Sequence, residues 1–237
     1  MSTGDYTLES LAQYLRLTPQ QVQKLAERDQ VPGRKVGGQW RFSAAEIHHW
    51  MEKRMGKMEE QELADVEDVL QRLAPPSDQA RVTIGNLMPV PAIAIPLLAR
   101  TRNSAIEGMV ELSAATGFLW DPPRMAEAIR AREELHPTAL DNGCALLHPR
   151  RPLPDVVGES HLALGITPGG IPFGGAGGKL TDIFFLICAQ DDATHLRILA
   201  RLSRLIADSV WLDSLRFSSD SVEAHDLIVA REETFPE

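Results

Sequence analysis

Cysteine is scarce in this sequence, and its histidines are dispersed. Cys144 and Cys188 are the two cysteines among 237 residues, and they lie far apart and outside any metal-ligand spacing. They therefore predict neither a disulfide framework nor a zinc site, and we expect two small, partly buried side chains. The following histidines form no ligand cluster and are interpreted as surface or packing residues: His48, His49, His136, His161 and His225. We expect no metal ion and no cofactor.

Long apolar runs and an export signal are also missing. No segment approaches the ~20 uncharged apolar residues that a membrane span needs. The opening "MSTGDYTLES" lacks the basic and apolar regions of a signal peptide. We expect a cytoplasmic protein that does not associate with a membrane. An apolar content of 43% is enough for the cores of one large or two small domains.

Net charge is −9 and unevenly distributed. Residues 1–57 carry nine Lys or Arg against six Asp or Glu, a net charge of +3, which leaves −12 for the remainder. This asymmetry indicates a small basic module that could approach a polyanion, joined to an acidic domain.

A phosphate-binding P-loop is absent, although glycines crowd the stretch "GITPGGIPFGGAGGKLT" at residues 165–181. Gly178-Lys179 is followed by Leu180 where a Ser or Thr is needed, and Phe173 occupies the place of the first glycine. The apolar runs on both sides are typical of strands, whereas a P-loop opens into a helix. The stretch predicts a glycine-rich connection between two strands.

Two short helices are predicted near the N-terminus. Thr7 can cap the first helix, and "TPQQ", beginning at Thr18, has a capping hydroxyl, a proline at the first helical position and a glutamine that can reach back to the cap. The short link between the helices predicts a helix-turn-helix. "VPGRKVGGQWRF" then predicts a hairpin turning at Gly37-Gly38, and "SAAE", beginning at Ser43, predicts the start of a third helix.

Residues 6–52, and above all "VPGRKVGGQWRFSAAEIHHW", resemble the excisionase-type, MerR-like winged helix-turn-helix family, with Asp29-Gln30 where that family usually has a glycine. The resemblance implies DNA binding: the second helix enters the major groove and the hairpin wing contacts the backbone. By position it places Gln20, Gln23 and Lys24 near base edges, and Arg34, Lys35 and Arg41 near phosphates. The alternative is a module that binds protein through solvated polar residues. A single module is small, so useful affinity for DNA requires a dimer or an array of sites.

The segment after this module predicts an amphipathic helix ended by Pro75-Pro76. Its apolar stripe is Leu63, Val66, Val69, Leu70 and Leu73. The stripe could join two chains as a short coiled coil, giving a homodimer, or pack on its own domain. "SDQA" follows as a hinge. We therefore divide the chain into a winged helix-turn-helix domain (1–57), a helical connector and hinge (58–81) and a C-terminal domain (82–237).

The C-terminal domain alternates apolar runs with helical periods. The predicted strands are "VPAIAIPLLA", "GCALLH", "SHLALGI" and "TDIFFLICA", and the predicted helices are "RNSAIEGMVELSAATG", "DPPRMAEAIRAREE" and "DATHLRILARLSRLIADSV". This alternation predicts an α/β fold with a layered mixed sheet, covered by helices on both faces.

Three separated segments of this domain resemble the fructose/mannitol/nitrogen-type enzyme IIA domain of the bacterial phosphotransferase system. They are "RAREELHPTALDNGCALLHPR", "GGIPFGG" with the "KLTDIFFLI" that follows it, and "THLRILARLSRLI". The resemblance covers roughly residues 82–237 and implies that His148 accepts a phosphoryl group from the phosphocarrier HPr, with His195 as its partner. By position, Arg132 would balance charge and the Thr138 hydroxyl would donate a hydrogen bond. A neutral imidazole is nucleophilic, and we expect free N–H groups in the first helical turn around His195 to favour the anion.

Two residues depart from the family pattern beside this histidine. Leu147 replaces the usual proline, and Pro149 replaces the usual glycine and brings no N–H. The hypothesis is a DNA-binding transcription regulator controlled by histidine phosphorylation. Two alternatives stay open: a regulator whose enzyme IIA-like domain binds a small molecule or nucleotide without being phosphorylated, and a phosphotransfer protein whose N-terminal module binds protein.

Overall fold

The computed structural model of the protein describes residues 5–15, 17–55, 58, 60–73 and 82–235. The chain divides into two compact units, Met1–Arg81 and Val82–Glu237. No helix in the described part of the chain is long and apolar enough to cross a membrane.

Four helices and a hairpin build the described part of the first unit. They are α1 (Leu8–Leu15), α2 (Pro19–Glu27), β1 (Arg34–Val36), β2 (Gln39–Arg41), α3 (Ala44–Met55) and α4 (Glu60–Leu73). Both predicted helix starts are present. The Thr18 hydroxyl accepts from the Gln21 N–H (3.3 Å), and the Gln21 side chain accepts from the Thr18 N–H (2.8 Å), a complete capping box. Ser10 and Thr7 cap α1 in the same reciprocal way.

The hairpin turns where two glycines predict it. Gly37 and Gly38 have φ values of 59° and 78°, and Val36 pairs with Gln39 across them. Two central residues with positive φ define a type I′ turn, which glycine forms at little cost. Asp29, in the Asp29-Gln30 pair that replaces the expected glycine, also has a positive φ, 54°, and so adopts the left-handed backbone conformation.

Helix α4, the predicted connector helix, packs within the first unit. Leu63 and Leu70 are buried, and α4 contacts α1. This part of the apolar stripe therefore packs within its own unit, which was one of the two alternatives that the sequence left open. The side chains of Val69 and Leu73, and the whole of Pro75-Pro76 and "SDQA", lie outside the described residues.

The second unit contains a four-stranded sheet and six helices in its described part. They are α5 (Ile84–Leu87), β3 (Ile93–Ala94), α6 (Arg102–Ala114), α7 (Pro122–Leu135), β4 (Cys144–Leu147), β5 (His161–Pro172), β6 (Leu180–Cys188), α8 (Asp192–Ala207), α9 (Ser209–Arg216) and α10 (Ser221–Glu233). The strand order is β3-β5-β6-β4. β5 and β6 are antiparallel, and the two outer pairs are parallel. The predicted mixed sheet is confirmed.

Helices cover both faces of this sheet. Phe184, Leu186 and Cys188 of β6 share one apolar cluster with residues of α6 and α7. Since strand side chains alternate between faces, Ile183, Phe185 and Ile187 point to the opposite face; all three are fully buried, and α8 contacts β6.

Several element bounds differ from the sequence prediction. The strand predicted over "VPAIAIPLLA" shrinks to Ile93–Ala94, since proline supplies no ladder N–H on either side of it. β5 continues to Pro172, beyond the predicted end at Ile166, through an irregularity in its pairing with β6. The long helix predicted from residue 192 is interrupted at Asp208, whose carboxylate caps α9 by accepting from two amides. Helices α5 and α10 were not predicted.

Candidate functional site

Two histidines meet at one edge of the sheet. β4 and β6 are parallel, so their carboxyl ends lie at the same edge. His148 directly follows β4, and β6 leads into α8, which carries His195 near its start. The centroids of the two imidazole rings are 4.9 Å apart, with their planes inclined by 50°. The structure thus brings together the two histidines that the resemblance pairs.

A backbone carbonyl sets the tautomer of His148. Its Nδ1 lies 2.8 Å from the Leu146 carbonyl oxygen. A carbonyl only accepts hydrogen bonds, so Nδ1 carries the proton in the neutral ring and Nε2 keeps the lone pair. Nε2 is therefore the nucleophilic atom of this imidazole.

The His148 side chain is nearly buried, with 3% of its surface exposed. His195 is buried to the same degree. The Nε2 atoms of both histidines are likewise buried, so the pair is closed to solvent in this structure.

A buried carboxylate lies beside this histidine pair. Glu133, 1% exposed, accepts hydrogen bonds from the Thr138 N–H and, through a very short contact, from the Thr138 hydroxyl. Burial raises the pKa of Glu133, while the two Thr138 hydrogen bonds and the positive charges of His148, when protonated, and Arg102 oppose that rise. The hydroxyl expected to face a phosphoryl group is thus engaged by Glu133 in this state.

Two arginines are related to this carboxylate: Arg132 precedes Glu133 in the sequence, and Arg102 interacts with Glu133 electrostatically. Arg132, the predicted counter-charge, is buried, and one of its nitrogens donates to the carbonyl of His136 at 2.6 Å. Arg102 was not predicted. It lies at the start of α6, where it donates to the Phe173 carbonyl at 2.8 Å and stacks on the Phe173 ring. Glu133 belongs to the Arg-Glu pair of the motif and could have been found in the sequence, whereas Arg102 carries no such signal.

Residues 173–179 of the glycine-rich stretch connect the antiparallel strands β5 and β6, so the predicted connection is present, but residues 167–172, which were expected in it, belong to β5. Gly174 has a φ of 98°. A Cβ at this position would lie 2.6 Å from an Arg102 guanidinium nitrogen and 2.7 Å from Pro137. Because Pro137 precedes Thr138, this loop packs directly against the segment that carries the Thr138–Glu133 pair.

The start of α8 is already capped. The Asp191 carboxylate accepts from the Thr194 N–H at 2.9 Å and from the Thr194 hydroxyl at 2.7 Å, and the His195 N–H donates to the Asp191 carbonyl at 3.0 Å. Two amides expected to be available to an anion are therefore engaged, and an acidic side chain faces the positive end of the helix.

His161 and both cysteines belong to the core. The Ser113 hydroxyl lies 2.6 Å from His161 Nε2, and His161 Nδ1 lies 2.8 Å from the Glu159 carbonyl oxygen. Nδ1 therefore donates and Nε2 accepts, and burial lowers the pKa of His161. Burial also raises the pKa of Cys188 to about 12 and that of Cys144 further. Both cysteines are fully buried packing residues rather than partly buried as expected. The described residues contain no cluster that could hold a metal ion.

Five of the six predicted DNA-contacting side chains are exposed on the first unit. Gln20, Gln23 and Lys24 lie on the exposed surface of α2, and Arg34 and Lys35 on the hairpin. Gln23 donates to Glu27 at 2.8 Å, so part of its hydrogen-bonding capacity is used within the helix.

The hairpin cations have local contacts. Arg34 pairs with Asp5 at 3.0 Å, and the Lys35 ammonium lies 5.1 Å from the centre of the Trp40 ring. Arg41 is only half exposed and donates to the Trp40 carbonyl and the Gln39 side chain. Arg34 and Lys35 are thus more exposed than Arg41.

Comparison with known proteins assigns both units. Residues 86–230 match the family "Phosphoenolpyruvate-dependent sugar phosphotransferase system, EIIA 2", and residues 6–55 match "Helix-turn-helix domain". A multiphosphoryl transfer protein of Rhodobacter capsulatus is 28% identical over 139 residues, which make up 59% of this chain and 16% of that protein. The chain therefore matches less than a fifth of the length of that relative.

Solved structures share the fold of the second unit. Nitrogen regulatory protein IIA-Ntr from Neisseria meningitidis aligns with a TM-score of 0.55 and 22% identity, covering 61% of this chain and 98% of that one. IIA mannitol from Escherichia coli aligns with a TM-score of 0.53 and 22% identity, covering 59% and 97%. Since the family match extends over more than half of the sequence, the chain belongs to the EIIA 2 family of the phosphoenolpyruvate-dependent sugar phosphotransferase system and joins that domain to a helix-turn-helix domain.

Proposed function

We propose that this protein is a DNA-binding transcription regulator whose activity is set by phosphorylation of His148 by an HPr-like phosphocarrier. The observation that carries the proposal is the His148–His195 pair, 4.9 Å apart, in a chain that also contains a helix-turn-helix domain. A DNA-binding module has little use on a component that only transports sugar.

The proposed reaction moves one phosphoryl group between two imidazoles. The Nε2 lone pair of His148 attacks the phosphorus of the phosphocarrier's phosphohistidine, and a new N–P bond forms. The N–P bond of the donor breaks, and its electron pair returns to the donor's ring nitrogen. Nδ1 of His148 keeps its proton, which the Leu146 carbonyl accepts as a hydrogen bond.

The surrounding residues have proposed roles in holding the new phosphoryl group. His195 and Arg132 supply positive charge or N–H donors, and the Thr138 hydroxyl supplies another donor once it leaves Glu133. The raised pKa of Glu133 favours its neutral form, which would not repel the phosphoryl oxygens. Pro149 contributes no amide, so side chains must supply more of the stabilisation than a backbone N–H would require.

Regulation of DNA binding would follow from the added charge. A phosphoryl group brings about −1.5 to −2 charges, close to the carboxyl edge of the sheet. A coupling free energy of about 1–3 kcal/mol between the two domains changes DNA affinity by roughly 5- to 150-fold. DNA contact itself is proposed for Gln20, Gln23, Lys24, Arg34 and Lys35, with Arg41 supporting the wing.

Intact-mass spectrometry tests the phosphorylation. The full chain is incubated with phosphoenolpyruvate, enzyme I and HPr, and wild type is compared with His148→Ala and His136→Ala. We expect an acid-labile gain of about 80 Da, one phosphoryl group, in wild type and in the exposed-histidine control His136→Ala, and none in His148→Ala. An unmodified wild-type chain with several donor systems would contradict the proposal.

A further inference from the structure

An apolar cavity of about 170 Å³ lies within the first unit. We call it the connector cavity, because connector helix α4 forms one wall with Val66 and Leu70. The other walls come from α1, α2 and α3, through Tyr14, Leu25 and Trp50 respectively. Four helices of the same unit thus line the cavity, which is partly open to solvent.

The walls of the connector cavity are large apolar side chains that the unit covers only in part. Tyr14, Leu25, Trp50 and Val66 are each half-buried. An apolar cavity offers water few hydrogen-bond partners, and a dry cavity of ~150 Å³ is large enough to hold a benzene ring. A small ring-containing ligand would bury apolar surface that otherwise faces solvent or empty space.

One cation stands at the rim. Arg54 lines the connector cavity, and its guanidinium lies 5.0 Å from the centre of the Trp50 ring. Arg54 is exposed, and among the described residues it forms no ion pair with a carboxylate. The Trp50 indole is held in place by its N–H, which donates to the Gln30 carbonyl at 2.8 Å. The planar guanidinium of Arg54, next to the Trp50 ring, suits a ligand that has a carboxylate attached to an aromatic ring.

We propose that the connector cavity binds a small aromatic carboxylate, with its ring between α2, α3 and α4 and its carboxylate on Arg54. Volume favours a single small molecule over a helix from a second chain, which would need a groove along the whole of α4. The apolar residues Leu63 and Leu70 of that helix are already buried within the unit. The site belongs to the first unit, whereas the histidine pair belongs to the second, and it does not depend on phosphorylation.

Titration calorimetry of the full chain tests the site with two probes, 2-naphthoate and its neutral analogue 2-naphthamide. We expect one saturable site for 2-naphthoate in wild type. Val66→Trp, which fills the cavity from α4, should abolish binding. Leu25→Phe, which fills it from α2, should weaken binding at least tenfold, so the test survives if one variant fails to fold. Val36→Trp, a matched bulky change on the exposed hairpin, should bind as wild type does.

The Arg54→Gln variant tests the role of charge. We expect 2-naphthoate affinity to fall roughly tenfold, as the loss of one charge-assisted hydrogen bond predicts, while 2-naphthamide affinity stays unchanged. Three results would overturn the proposal: no saturable binding in wild type at millimolar probe, wild-type affinity in both folded cavity-filling variants, or self-association in sedimentation that Val66→Trp abolishes. The last would assign the cavity to a second copy of the chain.

Discussion

Glu133 offers a direct test of how the histidine site is built. Its carboxylate is 1% exposed and accepts from both the N–H and the hydroxyl of Thr138. Glu133→Gln keeps the size of the side chain and one acceptor oxygen but can no longer ionise. Glu134→Gln, an exposed neighbour on the same helix, is the matched control.

Two effects of Glu133→Gln have different dependence on pH. The amide NH₂ of glutamine is a donor that faces the N–H and hydroxyl donors of Thr138. This mismatch lowers the free energy of unfolding by about 1–3 kcal/mol at every pH. The second effect follows from the raised pKa of Glu133. The folded state holds its proton more tightly than the unfolded chain, so this group's contribution to stability is fully present below its unfolded pKa and is lost as pH rises toward the folded pKa. Within that window, the free-energy advantage of wild type over the variant should shrink with rising pH, by at most about 1.4 kcal/mol per pH unit.

Urea unfolding from pH 4.5 to 8 measures this difference. Replacing Trp40 and Trp50 by Phe in all samples leaves Trp120 and Trp211, so the fluorescence reports the second unit alone. The Glu134→Gln control should track wild type at every pH. A wild-type advantage over Glu133→Gln that stays constant or grows with rising pH would refute the assignment of Glu133 as a desolvated carboxylate.

Three further predictions concern the core, the glycine-rich loop and the DNA surface. The pKa of His161 is lowered by burial, so its contribution to stability is present above about pH 6.5 and is lost as pH falls toward the folded pKa. In urea unfolding, His161→Gln should therefore lose less stability than wild type on acidification. His136→Gln should match wild type. Gly174→Ala forces a φ of 98° on alanine and places a Cβ 2.6 Å from a guanidinium nitrogen, so we expect it to reduce the free energy of unfolding by about 1–3 kcal/mol. Gly177→Ala, where nothing lies within 4 Å, should cost about 1 kcal/mol. Equal urea midpoints for the two variants would count against this packing. Lys35→Ala should weaken DNA binding and reduce the slope of log K against log salt by about 0.9, as measured by anisotropy at several salt concentrations. An unchanged slope would remove Lys35 from the phosphate contacts.

Local capping and turn signals predicted the first unit well. Thr18 and Gln21 form the expected capping box, and Gly37-Gly38 form the expected turn, because these features depend on a few adjacent residues. The burial of Leu63 and Leu70, which belong to α4, depends on tertiary packing. The spacing of apolar residues alone could not show whether α4 packs against a second chain or within its own unit.

The histidine site was only partly readable from sequence. The pairing of His148 with His195 was predicted from the resemblance alone. The parallel alignment of β4 and β6, which brings the two side chains to one edge of the sheet, was not predicted. Arg102 enters through α6 from a distant part of the chain, and no local pattern marks it. The Asp191 carboxylate caps α8 by accepting from the Thr194 N–H. It thereby occupies an amide that an anion could otherwise bind, and only the hydrogen bonds of the structure reveal this.

The most direct measurement of the central proposal is DNA affinity in both phosphorylation states. A fragment is selected from genomic DNA with the unphosphorylated full chain, and its binding is measured by anisotropy at one salt concentration before and after phosphorylation through HPr. We expect a change in affinity of roughly 5- to 150-fold that is absent in His148→Ala. Equal affinity of the phosphorylated and unphosphorylated wild-type chains would contradict it.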